Sequence, residues 1–358
     1  MVPNTTKIVF DCERMKYPHT GLYYFCLHLG KALLQNADGR DIYYYTPKKN
    51  IGIFGKSAHY VKQHTIHKLK LPRIADFDLW HSVYQTSSYF PFEGDLPVVL
   101  TIHDLNFIYD QRKSKEKKEY YLEKLQRRVE KASRVVAISE YTLSDLKKHV
   151  EVDEKKCSVI YNGCNIVSLL SGLPPLHAPV KPFLFTIGTI IEKKNFHVLP
   201  PLLQGNDWLL LIAGITITRS YKRKILSVAQ EHGVRDRVVF LGAITEADKQ
   251  WFMQNCRAFV FPSLSEGFGL PVVEAMHFGK PVILSKSTSL PEIGGESAYY
   301  FNSFEPESMK ETLEVSLNDY DNTPSREEEI KIRSRVFTWD KSAKEYLDIY
   351  DSLLKKNI

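Results

Sequence analysis

Cysteine is sparse and scattered in this chain of 358 residues, and this excludes two classes of protein. No two of the five cysteines form a Cys-x-x-Cys pair; they are Cys12, Cys26, Cys157, Cys164 and Cys256. A disulfide-bonded secreted fold and a structural zinc site both need clustered or regularly spaced cysteines. We therefore expect a protein of the reducing cytoplasm.

Long hydrophobic runs are missing as well. The strongest one, from Trp208 to Ile217, is about half as long as a membrane-spanning helix requires. The opening residues, MVPNTTKIVF, lack the basic region, apolar stretch and small-residue cleavage site of a signal peptide. We expect a cytoplasmic protein that reaches a membrane only peripherally, at its inner face.

The charge balance shows no strong excess of one sign. Lysine and arginine total 48 against 42 acidic residues, which gives a formal charge of +6, and 43% of the residues are hydrophobic. This is the composition of an ordinary globular protein. The small basic excess suits an anionic ligand, but no nucleic-acid-binding module is recognisable, and we expect no nucleic-acid partner.

Short β-branched runs alternate with amphipathic segments of helical length, which predicts parallel α/β units. In the first half, strands are predicted at 7–11, 41–45, 78–81, 97–102, 134–138 and 157–160, and helices at 22–35, 114–132 and 141–149. In the second half, strands are predicted at 183–188, 208–213, 237–241, 258–261, 282–284 and 298–301, and helices at 196–203, 219–232, 246–255, 271–278, 305–318 and 339–355.

Residues 171–182, SGLPPLHAPVKP, hold four prolines and few helix formers. This composition predicts a linker between two domains, 1–172 and 173–338. Open parallel sheets bind ligands beyond the carboxyl ends of their strands. We therefore expect the ligand in a cleft between the two domains.

The most informative segment is FVFPSLSEGFGLPVVEAMHFG, residues 259–279. A buried strand is predicted to run into a glycine-containing loop with Glu266, and Pro271 is predicted at the first position of the next helix. Glycines let backbone amides approach a ligand, and the helix start favours phosphate. Glu274 is predicted in the first turn, so that both carboxylates face one pocket.

Two other interpretations of this segment fit it less well. Acidic residues are common near helix starts for dipole reasons alone, but two of them framing GFGLP after a buried strand are not explained in that way. A dinucleotide-binding fingerprint fits poorly, because Val272 stands where the third glycine is needed.

The segment resembles the E-x7-E motif of the GT4 family of retaining glycosyltransferases, and in particular its mannosyltransferase-like bacterial members. The resemblance is strong from 185 to 298, fair from 97 to 165 and loose from 43 to 80. It implies an α/β protein of the GT-B fold, with two Rossmann-like domains facing across a cleft. The final helix, within 339–358, would then pack back on the first domain.

The resemblance also implies an activity. A hexose, mannose in our expectation, would pass from a nucleotide-diphosphate sugar to a saccharide or lipid-linked saccharide acceptor, with retention, in the synthesis of lipopolysaccharide, O-antigen or capsule. No Asp-x-Asp element suits a metal–diphosphate site, and we expect transfer without a metal or other cofactor.

The same resemblance assigns the donor-binding residues. Glu274 would bind the ribose hydroxyls, Glu266 would lie beside the donor sugar as a catalytic residue, and four loop residues would contact sugar and phosphate through their backbone: Gly267, Phe268, Gly269 and Leu270.

A second donor element is FLFTIGTIIEKKN, which resembles the family's G-T-x-x-x-R-K-N sequence. Gly188 would end a strand, and Lys193 and Lys194 would neutralise the donor diphosphate. Lys193 replaces the family's arginine and lacks its bidentate fork. Lys194 is therefore the predicted catalytic cation.

The first half supplies the remaining predicted site residues. His103 and Asp104 follow a predicted strand in TIHDL, which resembles the family's HDL element. A lone histidine is more often structural, but here we predict that His103 is catalytic, orienting the donor sugar or stabilising charge, and that Asp104 contacts the acceptor. In FDCERMKYPHTGLYYF, Gly21 would approach the donor phosphates and Arg14 would contact the acceptor.

The acceptor is less defined by the sequence. Residues 111–134 hold ten lysines and arginines against four glutamates, so this helix either contacts an anionic membrane peripherally or is a solvated helix with ion pairs along it. Two rival functions stay open: a non-catalytic sugar-nucleotide-binding partner subunit and a GT-B sugar-nucleotide epimerase. A phosphorylase would need a pyridoxal lysine site and usually a far longer chain.

Overall fold

The computed structural model of the chain describes residues 5–18, 20–71, 74–166, 174–176 and 178–355. It divides into two compact units, which we call unit 1 (Met1–Gly163 and Phe337–Ile358) and unit 2 (Cys164–Val336). The break therefore falls before the predicted boundary at 172. Within the predicted linker, residues 171–173 and 177 lie outside the described residues.

The strands and helices follow one another in α/β fashion. The strands are β1 Lys7–Asp11, β2 Asp41–Thr46, β3 His59–Lys62, β4 Leu79–Ser82, β5 Val98–Ile102, β6 Arg134–Ala137, β7 Cys157–Val159, β8 Phe183–Ile187, β9 Leu209–Ala213, β10 Val238–Gly242, β11 Ala258–Phe261, β12 Val282–Leu284 and β13 Tyr299–Tyr300. The helices are α1 Gly21–Gln35, α2 Asn106–Tyr109, α3 Lys115–Lys131, α4 Glu140–His149, α5 Arg219–Glu231, α6 Glu246–Asn255, α7 Leu270–His277, α8 Leu290–Gly294, α9 Pro306–Asn322, α10 Arg326–Arg335 and α11 Trp339–Leu354.

Each unit is built on its own parallel sheet. The strand order is β3-β2-β1-β4-β5-β6-β7 in unit 1 and β10-β9-β8-β11-β12-β13 in unit 2. Both contain the 3-2-1-4-5-6 order of Rossmann-like domains. Central strands such as β5 (VVLTI) are buried at every residue, as parallel strands covered on both faces require. The predicted α/β fold with two Rossmann-like domains is confirmed.

Helix starts in unit 1 follow from local sequence. Thr20, Ser114, Ser139 and Thr338 each accept a hydrogen bond from a backbone amide in the first turn of the helix that follows them. Such side chains satisfy amides that the helix itself cannot. The bounds of α1, α3, α4 and α11 therefore lie within a residue of their predicted positions.

The last helix, α11, is held to the sheet of unit 1 by a buried polar chain. His81 on β4 lies 2.6 Å from the hydroxyl of Tyr350 and 2.8 Å from that of Thr101, which in turn lies 2.9 Å from the hydroxyl of Tyr346. Burial lowers the pKa of His81 to about 3. The imidazole is therefore neutral and acts as a hydrogen-bonding group inside the core.

Several elements differ from the sequence-based expectation, among them two short helices that were not predicted, α2 and α8. The helix predicted at 196–203 is wrong: the chain forms two short 3-10 turns, Phe196–Val198 and Pro200–Leu203, because Pro200 and Pro201 lack the amide protons of an α-helix. Helix α10 and edge strand β3 were not predicted, since neither carries a strong apolar pattern. No helix among the described residues is both long and apolar enough to cross a membrane.

Candidate functional site

A largely buried ion pair of unit 2 joins the ends of two neighbouring strands. Lys194 follows β8, Glu266 follows β11, and these strands pair in the sheet. The Lys194 Nζ lies 2.5 Å from Glu266 Oε1, and the Ser263 hydroxyl donates to the same oxygen at 2.6 Å. The two ion-paired side chains are only 12% and 14% exposed. The two residues predicted to be catalytic in this unit are therefore brought together.

Glu266 is ionised in this setting. Burial raises the pKa of its carboxyl, but the charges of Lys194 and Lys193 and the hydrogen bonds from Lys194 and Ser263 outweigh burial, so the pKa lies below its ordinary value. The lysine and the carboxylate thus neutralise each other. A phosphate group that binds Lys194 must either share the ammonium group with Glu266 or displace Glu266 from it.

The loop that carries Glu266 is fixed through its backbone. The Glu266 amide donates to the Thr288 hydroxyl at 3.0 Å, and the Ser289 hydroxyl donates to the Glu266 carbonyl at 3.0 Å. Thr288 has a φ of +53°, which is uncommon for a residue other than glycine. The supporting residues Ser263, Thr288 and Ser289 were not predicted, because they matter only through contacts made in the folded chain.

Two glycines make room for the Lys194 side chain. A Cβ on Gly188 would lie 3.1 Å from Lys194 Cε, and a Cβ on Gly214 would lie 1.9 Å from the Gly188 carbonyl oxygen. Gly188 therefore lies directly beside the predicted diphosphate-binding cation. Gly214 is structural, since any larger residue would displace Gly188.

The start of α7 lies one residue earlier than predicted. Gly269 is the cap, with a φ of +102°, and Leu270 is the first helical residue. Pro271 is therefore at the second position, and Glu274 lies in the second turn; the predicted positions of both are wrong. Phe268 is 3% exposed, so its side chain belongs to the core. Phe268, like Gly267 beside it, can serve a ligand chiefly through its backbone.

Glu274 is a buried carboxylate with two fixed donors. It is 2% exposed, and its Oε1 accepts from Lys249 Nζ at 3.0 Å and from Asn165 Nδ2 at 2.8 Å. Lys249 also pairs with Glu246 at 2.8 Å and its side chain is 8% exposed. Burial alone would lower the pKa of Lys249, but the charges of Glu274 and Glu246 raise it above its usual value.

Lys249 and Asn165 were missed by sequence reasoning. Lys249 follows Glu246 at i+3 on a polar helix, a spacing that is typical of surface ion pairs. Its role becomes visible only when α6 packs beside α7. Because both donors converge on Oε1, they fix the orientation of the Glu274 carboxylate and leave Oε2 as its second acceptor.

In unit 1, His103 is a neutral imidazole that donates one hydrogen bond and has a lone pair to accept another. Its Nε2 lies 2.8 Å from the Val83 carbonyl oxygen, to which it can only donate, so the proton of the neutral ring is on Nε2 and Nδ1 carries a lone pair. Burial lowers the pKa of His103 to about 4. At neutral pH the ring can therefore orient a hydroxyl group but carries no charge with which to stabilise an anion.

Gln85 holds the loop that bears His103 and Asp104. Its Oε1 accepts from the His103 amide at 3.2 Å, and its Nε2 donates to the Asp104 carbonyl at 2.6 Å. The Asp104 carboxylate accepts from the Asn106 amide at 3.1 Å, a contact that stabilises the start of α2. The predicted acceptor contact of Asp104 stays a prediction.

The other two predicted residues of unit 1 are Arg14, which follows β1, and Gly21, which begins α1. Arg14 is in a 3-10 turn after β1, with its guanidinium carbon 4.5 Å from the centre of the Tyr84 ring and 4.9 Å from that of Tyr17. Gly21 is the exposed first residue of α1. Arg14 and His103 both contact Tyr84, since the His103 and Tyr84 ring centres are 6.3 Å apart.

A buried pair of acids, Asp11 and Glu13, lies at the end of β1 and the start of the turn that carries Arg14. The Ser87 hydroxyl is 2.6 Å from Asp11 Oδ2 and 2.8 Å from Glu13 Oε2. One hydroxyl has a single proton, so both contacts can be hydrogen bonds only if one carboxyl is protonated. Burial, together with the Glu13 charge, raises the pKa of Asp11 to about 8. Glu13, paired with Lys16 at 2.8 Å, remains charged, and Asp11 holds the proton.

No metal site emerges from these contacts. Across the described ranges, no group of three His, Cys, Asp or Glu side chains is placed to hold a metal ion. The expected independence of metal and cofactor stays a prediction.

Comparison with known proteins identifies the class. The profile of "Glycosyl transferases group 1" matches residues 175–334, and that of "Glycosyltransferase Family 4" matches residues 25–168. Together with the two Rossmann-like sheets, these matches define a glycosyltransferase of the GT-B fold. The two profiles match successive parts of the chain, and the resemblance to glycosyltransferase family 4 found in the sequence is confirmed.

Individual relatives point in the same direction. The chain is 22% identical to O-antigen chain mannosyltransferase B of Escherichia coli, over 97% of this chain and 100% of that protein. It is 26% identical to O-antigen chain mannosyltransferase RfbU of Salmonella typhimurium, over 67% of this chain and 68% of that one. The structure of Anabaena Alr3699/HepE in complex with UDP and glucose shares the fold, with a TM-score of 0.75 at 17% identity, over 97% of this chain and 100% of that chain.

Proposed function

We propose that this glycosyltransferase moves a hexose, mannose in our expectation, from a nucleotide-diphosphate sugar to a saccharide or lipid-linked saccharide, with retention and without a metal. The observation that carries the proposal is the Lys194–Glu266 pair at the carboxyl ends of β8 and β11. It supplies a cation where a leaving diphosphate needs one. Two relatives named as O-antigen mannosyltransferases support mannose and a role in cell-surface glycan synthesis.

Donor binding is assigned to the groups around α7. Glu274, fixed through Oε1 by Lys249 and Asn165, accepts a ribose hydroxyl on Oε2. Backbone amides at Gly267–Leu270 and the start of α7 take the phosphates, since helix starts carry free amides and a positive dipole end. Glu266 lies beside the donor sugar, and Gly21 lets α1 approach the donor phosphates.

The proposed chemistry needs few groups. The bond from the anomeric carbon to the diphosphate oxygen breaks as the acceptor oxygen bonds to the same face of that carbon. The acceptor proton passes to the leaving phosphate, and Lys194 neutralises the charge that develops there. His103 orients the sugar by accepting a hydrogen bond from a sugar hydroxyl on Nδ1, while Asp104 contacts the acceptor.

Contact with an anionic membrane stays a prediction for α3. Its exposed surface includes Tyr120, with Lys124 Nζ 4.4 Å from the ring centre, and a loose ion pair of Lys115 and Glu119 at 3.7 Å. These contacts fit a solvated helix as well as a lipid-facing one, so both interpretations remain open.

The test is thermal stabilisation of the purified chain by UDP, GDP, ADP and their sugar conjugates, with and without chelator. A ligand that binds only the folded state raises the melting temperature. We expect one nucleotide to do so with chelator present, and Glu274→Ala to remove the shift while exposed Glu231→Ala retains it. No shift with any nucleotide would remove the donor assignment.

Product analysis then separates the rival functions. A transferase consumes donor only when an acceptor is supplied, and the glycosidic product keeps the donor's anomeric configuration. An epimerase would isomerise the sugar without an acceptor, and a non-catalytic subunit would bind nucleotide without consuming donor. Inverted product would contradict retention alone.

A further inference from the structure

Arg14 is a partly buried cation for which the described residues supply no counter-charge. Its Nε is shielded from solvent and makes no hydrogen bond within the described part of the chain. The rings of Tyr84 and Tyr17 lie 4.5 and 4.9 Å from its guanidinium carbon. Aromatic faces stabilise a cation and hold its orientation, but they do not neutralise it.

The nearby carboxylates are engaged elsewhere. Glu13 pairs with Lys16 at 2.8 Å and accepts from the Ser88 amide at 2.9 Å. Asp11 accepts from the Glu13 amide at 2.9 Å and contacts the Ser87 hydroxyl. The two acids that precede Arg14 on the chain therefore satisfy other donors, and the Arg14 charge is left for a ligand.

Tyr84 places Arg14 and His103 around one position. Its ring contacts the guanidinium on one side and lies 6.3 Å, centre to centre, from the His103 ring. His103 donates from Nε2 to the Val83 carbonyl, so its Nδ1 lone pair can accept a hydrogen bond from a hydroxyl group. A guanidinium fork binds phosphate oxygens in pairs. A ligand that satisfies both residues carries a phosphate near a sugar hydroxyl.

We propose that Arg14, Tyr84 and His103 form a binding site for a phosphate group attached to a saccharide. This inference rests on the proposed transfer reaction and deepens it by naming the ligand chemistry in unit 1. That chemistry has two sources: the diphosphate of the donor, and the phosphate of a lipid-linked saccharide acceptor.

The direct test follows the Nε–H signal of Arg14 by NMR in the full chain labelled with ¹⁵N-arginine. The signal is the one that disappears in Arg14→Lys. Lys194→Met serves as the background, because it removes the predicted catalytic cation of unit 2 and so weakens pyrophosphate binding there. We expect inorganic pyrophosphate to shift the Arg14 signal. We also expect Arg14→Gln to weaken pyrophosphate binding about tenfold or more, the effect of losing a charged hydrogen-bond pair.

Two controls make the result specific. Arg112→Gln removes an exposed arginine of the same unit that is already paired with Asp110, and should leave pyrophosphate affinity within twofold. Arg14→Lys keeps the charge without the fork, and should retain part of the affinity. An unchanged melting temperature in each variant excludes misfolding as the cause.

The source of the phosphate is decided by two further titrations with Lys194 intact. A shift of the Arg14 signal by UDP or GDP, with weaker nucleotide binding in Arg14→Gln, assigns the donor diphosphate. A shift by N-acetylglucosamine 1-phosphate while bound nucleotide leaves the signal unchanged assigns an acceptor phosphate.

The inference fails if pyrophosphate, UDP, GDP and N-acetylglucosamine 1-phosphate all leave the signal in place, or if Arg14→Gln binds each within twofold of wild type. If no nucleotide stabilises the protein but pyrophosphate still shifts Arg14, the proposed donor is wrong and the phosphate site stands.

Discussion

In unit 2 each site carboxylate is held by a lysine, whereas in unit 1 the site cation Arg14 has no acid paired with it in the described chain. Lys194 pairs with Glu266 and Lys249 with Glu274, all four side chains being largely buried. In unit 1 two buried site groups are neutral, since His103 is uncharged and Asp11 holds a proton, and the charged Glu13 is paired with Lys16. The site charges of unit 2 are therefore balanced by partners within the protein, whereas the charge of Arg14 in unit 1 has no such partner among the described residues.

This contrast shows which interactions hold the side chains of each site in position when no substrate is bound. A buried ion pair is stable only when both partners are present, because a lone buried charge is costly. Neutral hydrogen bonds carry no such dependence on a partner's charge. Variants that remove one charge should therefore harm unit 2 more than unit 1.

The largest effect is expected from Lys249→Met. It leaves Glu274 buried with Asn165 as its remaining donor, and breaking a buried pair costs about 3–5 kcal/mol of unfolding free energy. Urea unfolding measures the loss, with exposed Lys344→Met as the control. The double variant Lys249→Met/Glu274→Gln should recover much of it, since an amide needs no counter-charge. A loss below about 1 kcal/mol, as for surface pairs, would show that Lys249 does not support Glu274.

The same variant tests the positioning role of Lys249. Because Lys249 acts on the donor through Glu274, Lys249→Met should raise the donor KM more than it lowers kcat. Lys249→Arg, which keeps the charge, should recover part of the donor affinity. If each variant raises KM and lowers kcat by the same factor, general damage to unit 2 is indicated instead.

Next in size is Lys194→Met. Loss of one group that stabilises developing negative charge lowers kcat about 10²–10³-fold, and Glu266 loses its partner at the same time. Initial rates at saturating donor measure the change. Lys193→Met is the matched control and should lose less, because Lys193 contacts the Glu266 loop through its backbone carbonyl. Equal losses in the two variants would contradict the assignment of Lys194.

A smaller, pH-dependent effect on the unfolding free energy is expected from His81 in unit 1. His81 has a folded pKa of about 3, below the unfolded value of about 6.5, so protonation favours the unfolded chain. The contribution of His81 to stability is fully present above about pH 6.5 and is lost as the pH falls from there to about 3. His81→Gln should reduce the slope of unfolding free energy against pH by about 1.4 kcal/mol per unit. Exposed His59→Gln should leave the slope unchanged; an equal change in both would disprove the buried neutral state.

A last effect, of the opposite sign, is expected from Asp11. Its folded pKa of about 8 lies above the unfolded value, so its contribution is present at low pH and is lost as the pH rises through about 8. Asp11→Asn mimics the protonated carboxyl and should make the melting temperature less sensitive to pH between 6 and 8.5. Asp153→Asn, at an exposed turn, is the control. An unaltered pH dependence in Asp11→Asn would mean that the shared proton lies elsewhere.

The comparison also shows which parts of the site local sequence can reveal. The strand, loop and helix of residues 259–279 lie in one continuous segment, so Glu266, Gly269 and Glu274 were found together. Lys194 was found because two lysines follow a strand and its glycine. Even here the first residue of α7 was misplaced, because a left-handed Gly269 ends the loop one residue earlier than Pro271 suggests.

The partners of those residues could not be found in this way. Lys249 and Asn165 meet Glu274 from 25 and 109 residues away in sequence, and Ser87 meets Glu13 from 74 residues away. Such contacts exist only after strands and helices from distant parts of the chain have packed. The orphaned Nε of Arg14 is likewise a property of packing.

The sequence by itself determined the alternating α/β order, the family and the residues of the E-x7-E segment, because these depend on local periodicity and short-range spacing. Only the tertiary structure decided the charge state and partners of those residues. Burial and the approach of distant side chains set whether Glu266 is ionised, whether His103 donates or accepts, and whether Arg14 is neutralised, and none of these is fixed by the order of neighbours along the chain.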